Sequence, residues 1–168
     1  MEKRKKYIAY GSNLNLGQMA RRCPTAKVIG KGEIKDHELL FRGHSMSAVA
    51  TVEPKAGSSV PVLIWEIGPE DERNLDMYEG YPRLYGKVDL EVQTEEGCET
   101  IMAYTMNEGH EIGKPSSYYL DTITTGYLDA GFDVNRLLES VSYCKEVMEK
   151  WLENERMEEL IWNQQLLQ

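Results

Sequence analysis

The sequence predicts an α+β domain, a small, curled, mainly antiparallel β-sheet flanked by helices. Three observations predict it. From Lys27 to Met106 the chain is a succession of β-branched or alternating apolar runs bounded by Gly, Pro or acidic turns. One segment within this stretch, opened by Pro69, changes to helical spacing with Leu75, Met77 and Tyr78. Beyond Asn135, the residues Leu137, Val141, Cys144, Met148 and Trp151 are spaced 4, 3, 4 and 3, which is a single apolar stripe on a helix.

Taken in order, the elements begin with "YIAY" at 7–10, an apolar, β-prone run that stops against Gly11-Ser12-Asn13. The preceding "MEKRKK" is basic, and it reads as a frayed terminus. "LGQMARRCP" at 16–24 forms a short helix that Pro24 stops. Five strand runs follow: "KVIGKGEIKDHELLFRG", "SAVATVEP", "VPVLIWEIG", "GKVDLEV" and "TIMAYTM", the last two joined by the hairpin-like "TEEGCE". Between the third and fourth of them, Pro69 sits where a helix prefers its first turn, and the helix ends near Glu79 at Gly80-Tyr81-Pro82. Pro115 and Ser116 open "SSYYLDTITTGYLDAGF", helical at least through its first half. The final stripe covers only about two heptads, so it is expected to pack on its own domain. "MEELIWNQQLLQ" beyond it carries a second apolar group that lengthens the helix or grips another subunit.

At 168 residues the chain fits one domain, 1–168, with a helical extension from about 135. A hydrophobic fraction of 41% and a charged fraction of 28% are those of a soluble globular protein. No apolar stretch approaches the ~20 residues of a membrane span, and "MEKRKK" lacks the apolar middle of a secretory signal, so cytoplasmic residence is expected. Cys23, Cys98 and Cys144 are odd in number and widely spaced, which suits reduced, structural thiols. A net charge of −9 repels phosphate backbones and excludes nucleic acid as the expected partner. His37, His44 and His110 have neither an i, i+4 pairing nor a Cys-x-x-Cys companion, so neither metal nor cofactor is expected. The expected assembly is a monomer or weak homodimer.

Two short stretches carry candidate chemistry. A strand that stops at Gly11-Ser12-Asn13 leaves successive amides unpaired, and Gly admits conformations that aim them at one point. Such a turn makes a nest for an oxyanion or a carboxylate without any positive side chain, although an ordinary turn has the same local sequence. In "LDMYEGYPRLY", Glu79 lies among Tyr78, Tyr81 and Pro82. A carboxylate among aromatic rings is desolvated, its pKa rises, and it becomes a better proton acceptor at neutral pH, whereas a Glu at an exposed helix end does none of this.

Together these stretches resemble the γ-glutamylcyclotransferase family. Tyr10-Gly11-Ser12-Asn13-Leu14 matches the signature that follows the family's first strand, and Glu79-Gly80 matches its "EG" after a short helix beginning "PED". Similarity continues through "RCPTAKVIGKGEIKDHELLFRG", "AVATVEPKAGSSV", "VLIWEI", "AYTM" and "PSSYYLDTITTGYLDAGF", so that roughly residues 6–140 are covered. The chain departs at Gly86-Lys87, where many relatives carry larger or basic residues.

The resemblance implies a small curled β-barrel with helices around it and a substrate that is a γ-glutamyl amide. In that chemistry the substrate's own α-amine attacks its γ-carbonyl and releases 5-oxoproline and a free amine. Nucleophile and electrophile belong to one molecule, so holding the substrate folded supplies up to ~7 to 11 kcal/mol of acceleration. The resemblance assigns proton transfer to Glu79 and substrate binding to Tyr10, Gly11, Ser12, Asn13 and Leu14, with hydroxyls from Tyr85, Tyr104 and Tyr119. Ser12 as a nucleophile is disfavoured, because no Gly-x-Ser-x-Gly elbow or neighbouring His activates it. Two other readings stand beside this one: a non-catalytic module that binds a small metabolite in the same pocket, and a related enzyme whose γ-glutamyl group sits on a bulkier amine.

Overall fold

The computed structural model describes residues 3–166. Five strands, β1 (Lys5–Ala9), β2 (Lys27–Arg42), β3 (Val49–Ile67), β4 (Tyr85–Thr94) and β5 (Gly97–Met106), form a closed barrel in the order β1-β3-β2-β4-β5. All neighbours run antiparallel except β1 and β5, which close the barrel in parallel at Tyr7 and Met102. The helices are α1 (Leu16–Arg22), α2 (Pro69–Glu79), α3 (Ser117–Ala130) and α4 (Val134–Leu166), with a 3-10 turn at Ser12–Leu14. Ile8, Ile34, Val60 and Val62 share one face of the sheet by register and are fully buried, as are Phe41 and Ile67. Val60 to Trp65 are buried without interruption, so this part of β3 is covered on both faces, by the barrel interior and by the elements packed around it.

Three local expectations change. The runs at 47–54 and 60–68 are not two strands but one, β3, which pairs with β2 along almost its whole length. Turn-like Lys55 to Ser59 instead lies midway along the β2–β3 ribbon, exposed over much of its length, where a bulge opposite Asp36 shifts the register between the Lys35–Ser59 and His37–Pro54 pairs. The basic start is not frayed: Lys5 and Lys6 are part of β1, and Arg4, Lys5 and Lys6 pair with Glu66, Glu72 and Glu99. Opposite charge on the neighbouring elements draws this edge into the sheet.

The third change concerns α4. Leu137, Cys144 and Met148 pack on the barrel, and Cys144 Sγ accepts the Phe41 amide at 3.4 Å. Trp151, however, is 44% exposed, and so are Met157, Leu160, Ile161, Trp162 and Leu166 beyond it. The 33-residue helix is ~50 Å long, so it outruns the barrel it lies against. No helix among the described residues is long and apolar enough to cross a membrane.

Two helices position the site. α2 begins with Pro69 and is anchored by Asp71, whose buried carboxylate accepts Gly68 N at 3.0 Å and Thr25 Oγ1 at 2.5 Å. It ends at Gly80, which takes φ 63°, and the amides of Gly80 and Tyr81 return to the Met77 and Asp76 carbonyls. That left-handed cap fixes Glu79 as the last helical residue. α3 is capped by Ser116, whose side chain accepts the Tyr119 amide at 3.2 Å. Gly126 lets α3 press on the 3-10 turn, since a Cβ there would lie 2.6 Å from Leu14 Cβ and 2.8 Å from its carbonyl carbon.

Candidate active site

β1 ends at Ala9, and the chain turns through Gly11 into the 3-10 turn at one mouth of the barrel. The Leu14 and Asn15 amides donate to the Gly11 and Ser12 carbonyls, each at 3.0 Å. No hydrogen bond among the described residues engages the amides of Gly11, Ser12 and Asn13. Gly11 has φ −120°, so a positive φ is not what selects glycine. Space is: a Cβ there would stand 3.1 Å from Ala50 Cβ and 3.5 Å from Tyr119 Oη.

The turn borders a pocket of about 190 Å³ between the end of α2, strands β1, β3, β4 and β5, and α3. Its walls are aromatic. Tyr10, Gly11, Ser12, Asn13, Glu79, Tyr85, Tyr104 and Tyr119 all line it, so eight of the nine residues named from sequence converge there. Leu14 does not, because its fully buried side chain turns away to pack under α3.

Glu79 is half-buried, and burial raises its pKa from 4.5 to about 7 against the opposing pull of Arg22 and the hydrogen bond from Asn13. A carboxyl with that pKa both accepts and returns a proton near neutrality. Asn13 supports it. The Asn13 side chain is buried and its Nδ2 donates to Glu79 Oε1 at 3.0 Å and to Tyr7 Oη at 2.9 Å. Its Oδ1 accepts from Arg22, and its carbonyl accepts Trp65 Nε1 at 3.2 Å. The side chain of Asn13 is thus committed to the protein, while its backbone amide has no hydrogen bond among the described residues.

The tyrosines divide by what holds their hydroxyls. Tyr85 donates to the Ala50 carbonyl and Tyr104 to Asp76 Oδ1, both at 2.5 Å, and Tyr10 donates to the Tyr104 carbonyl at 2.5 Å. These three line the pocket and spend their protons on the barrel backbone or, for Tyr104, on α2. Tyr119 Oη instead accepts the Ala50 amide at 3.1 Å and keeps its proton to offer. Ser12 Oγ and Tyr78 Oη lie 2.8 Å apart at the rim. Burial pushes the phenols of Tyr10, Tyr85, Tyr104 and Tyr119 upward, so they remain neutral donors.

Sequence reasoning missed Tyr7, Tyr78 and Arg22. Tyr7 follows strand alternation away from Ile8, but Tyr10 lies past the strand end, so only the three-dimensional path brings both to one pocket. Tyr78 sat beside Glu79 in the quoted stretch and could have been included on that ground. Arg22 carried no local signal, because it acts across the turn from the end of α1.

A family model described as gamma-glutamyl cyclotransferase, AIG2-like, matches residues 7–124 and so contains every pocket residue named above. The chain belongs to this family. Similar proteins include human gamma-glutamylcyclotransferase, 28% identical over 159 residues covering 86% of this chain and 84% of the human protein. The mouse gamma-glutamylcyclotransferase is 29% identical over 136 residues, covering 74% of this chain and 71% of its own. A solved structure of a gamma-glutamyl cyclotransferase superposes with a TM-score of 0.74 at 22% identity, over 88% of this chain and 99% of that one. An ensemble-refined crystal structure of an uncharacterized human protein gives a TM-score of 0.73 at 26% identity, over 83% and 87%. The closed barrel with flanking helices is therefore the cyclotransferase fold.

Proposed function

We propose that this cyclotransferase-family chain releases 5-oxoproline from a γ-glutamyl amide, with Glu79 as the proton-transfer group. The observation that carries the reading is a carboxyl with a pKa of about 7 set in an aromatic pocket beside three uncommitted backbone amides. The substrate's α-nitrogen attacks its own γ-carbonyl carbon, the new C–N bond closes the five-membered lactam, and the old amide C–N bond breaks. The attacking nitrogen sheds two protons, from ammonium to lactam N–H, and the departing nitrogen gains two and leaves as an ammonium. One carboxyl cycling between its two states carries them, with no net consumption of water or cofactor.

The amides of Gly11, Ser12 and Asn13 are the proposed donors to the glutamyl carboxylate and to the developing oxyanion, and Tyr119 Oη is a further neutral donor. The rings of Tyr10, Tyr85 and Tyr104 exclude water and hold the substrate folded, which supplies the orientation that an intramolecular reaction needs. Leu14 supports this site from behind through its packing against α3.

The test is incubation of the purified chain with a panel of γ-glutamyl amides on amino acids, alkylamines and the lysine side chain, read as 5-oxoproline by mass spectrometry. Release from at least one class is expected. Silence across the panel, with glutamyl compounds still binding, would replace catalysis by metabolite binding in the same pocket.

A further inference from the structure

We infer that Arg22 is a positioning residue for the Glu79 carboxylate: it fixes which way the Asn13 carboxamide faces and holds Tyr78 over the rim of the pocket. This rests on the cyclotransferase reading for its kinetic consequence, but its structural part stands on contacts that involve no substrate.

A carboxamide has a donor end and an acceptor end of nearly equal shape, so one strong neighbour decides its orientation. Arg22 is that neighbour. Its Nη1 donates to Asn13 Oδ1, and its Nη2 donates to Gln18 Oε1 at 3.2 Å from one turn earlier on the same helix. A guanidinium only donates, so it pairs only with the oxygen end of Asn13. The nitrogen end is then forced toward Glu79 Oε1 and Tyr7 Oη, at 3.0 and 2.9 Å. Reversed, the Asn13 oxygen would face the carboxylate, and repulsion between the two oxygens would displace Glu79 or keep it protonated.

The same guanidinium sits over the Tyr78 ring, with its central carbon 3.3 Å from the ring centroid. Tyr78 Oη in turn meets Ser12 Oγ at 2.8 Å. One planar cation thus ties α1, the 3-10 turn and the end of α2 together around Glu79. A lysine supplies the charge but neither the fork nor the stacked plane.

Among the described residues, Arg22 is also the one positive group acting on Glu79. The titratable groups around that carboxyl are Tyr7 from β1, Tyr10 just past its end, Cys23 at the C-cap of α1, Tyr85 from β4 and Tyr119 from α3, with the Tyr78 ring beside it on α2 and the Tyr104 ring across the pocket on β5. Burial pushes Tyr7, Tyr10, Tyr85, Tyr104 and Tyr119 upward and the Cys23 thiol to about 12, so all are uncharged near neutrality. Among the described residues, Arg22 alone opposes the desolvation of Glu79 by charge.

The experiment compares wild type, Arg22→Met and Arg22→Lys by two readouts. The first is the titration of the Glu79 carboxyl, followed by carbon NMR in glutamate-labelled protein without substrate and assigned by its loss in Glu79→Gln. The second is the pH profile of kcat/KM for 5-oxoproline release. Arg22→Met should raise the titration midpoint by about one pH unit and lower kcat/KM about tenfold near pH 6, with recovery to within about threefold near pH 9. Arg22→Lys should bring the midpoint back at least halfway. If Arg22→Met does not fold, Arg22→Gln carries the same expectation, since it too is uncharged. An unchanged midpoint in the uncharged variant, with only thermal stability lowered, overturns the inference and leaves Arg22 as a packing residue. Absence of 5-oxoproline from the wild type would instead overturn the cyclotransferase reading, and the NMR midpoints would still decide the role of Arg22.

Discussion

Replacing Glu79 with glutamine separates proton transfer from shape. The side chain keeps its volume, and its Oε1 can still accept Asn13 Nδ2, as the carboxylate does at 3.0 Å. What disappears is an acid whose pKa burial raises from 4.5 to about 7. At pH 7 such a group is about half ionised, the state in which one carboxyl serves as both base and acid. The same rise has a stability consequence of about 3 kcal/mol, at 1.4 kcal/mol per tenfold in acid strength. The folded protein holds this proton more tightly than the unfolded chain. The contribution to stability is therefore full below pH 4.5 and is lost as the pH rises through about 7. Glutamine has no such dependence. The variant should match wild type closely near pH 4 and exceed it by roughly 1 to 3 kcal/mol near pH 8, measured by urea unfolding at the two pH values. Over the same comparison kcat for 5-oxoproline release should fall by ~10² to 10⁴ while KM moves far less. Glu79→Asp should lose most activity too, because it withdraws the charge by one methylene from the atoms it must reach. A Glu79→Gln protein that unfolds more easily at both pH values yet turns over normally would refute the reasoning and assign Glu79 to structure.

Wild-type kcat/KM should rise with pH to a half-maximum near 7, because the ionised form of Glu79 takes the proton, and a profile flat from about pH 5 to 8 would exclude it as the base. Activity should survive exhaustive chelation, since the proposed chemistry uses only this chain and its substrate; loss in EDTA with recovery on adding zinc or magnesium would sink that mechanism. Gly11→Val should raise KM at least about tenfold and lower stability by roughly 1 to 3 kcal/mol, because its side chain meets Ala50 and Tyr119 at the pocket wall. Unchanged affinity in the folded variant would make this segment an ordinary turn.

The sequence by itself determined the elements whose cause is local. Pro69 and Gly80 set the two ends of α2 because one fits a helix's first turn and the other a left-handed cap, and between them they place Glu79. The abrupt stop of β1 at a run of small polar residues is equally local, and so is the apolar stripe from Leu137 to Met148. Tertiary structure decided what depends on partners far along the chain. Whether Val49 to Ile67 makes one strand or two was settled by β2, whose pairing on both sides of a bulge at Asp36 carries the ribbon past residues that on their own signal a turn. Closure of the barrel through a single parallel pairing of Tyr7 with Met102 joins residues that no local pattern relates. The pocket follows the same logic. Tyr10 follows the end of β1 while Tyr85, Tyr104 and Tyr119 come from β4, β5 and α3, and which of them keeps a free hydroxyl depends on the Ala50 peptide, the Tyr104 carbonyl and Asp76. Leu14 belongs to the sequence motif but faces α3, because Gly126 opens space for it there, and Arg22 lies outside the motif yet reaches Asn13 across the turn. Side-chain direction at a strand end or a turn is set by what packs against it, and that information is spread over the whole chain.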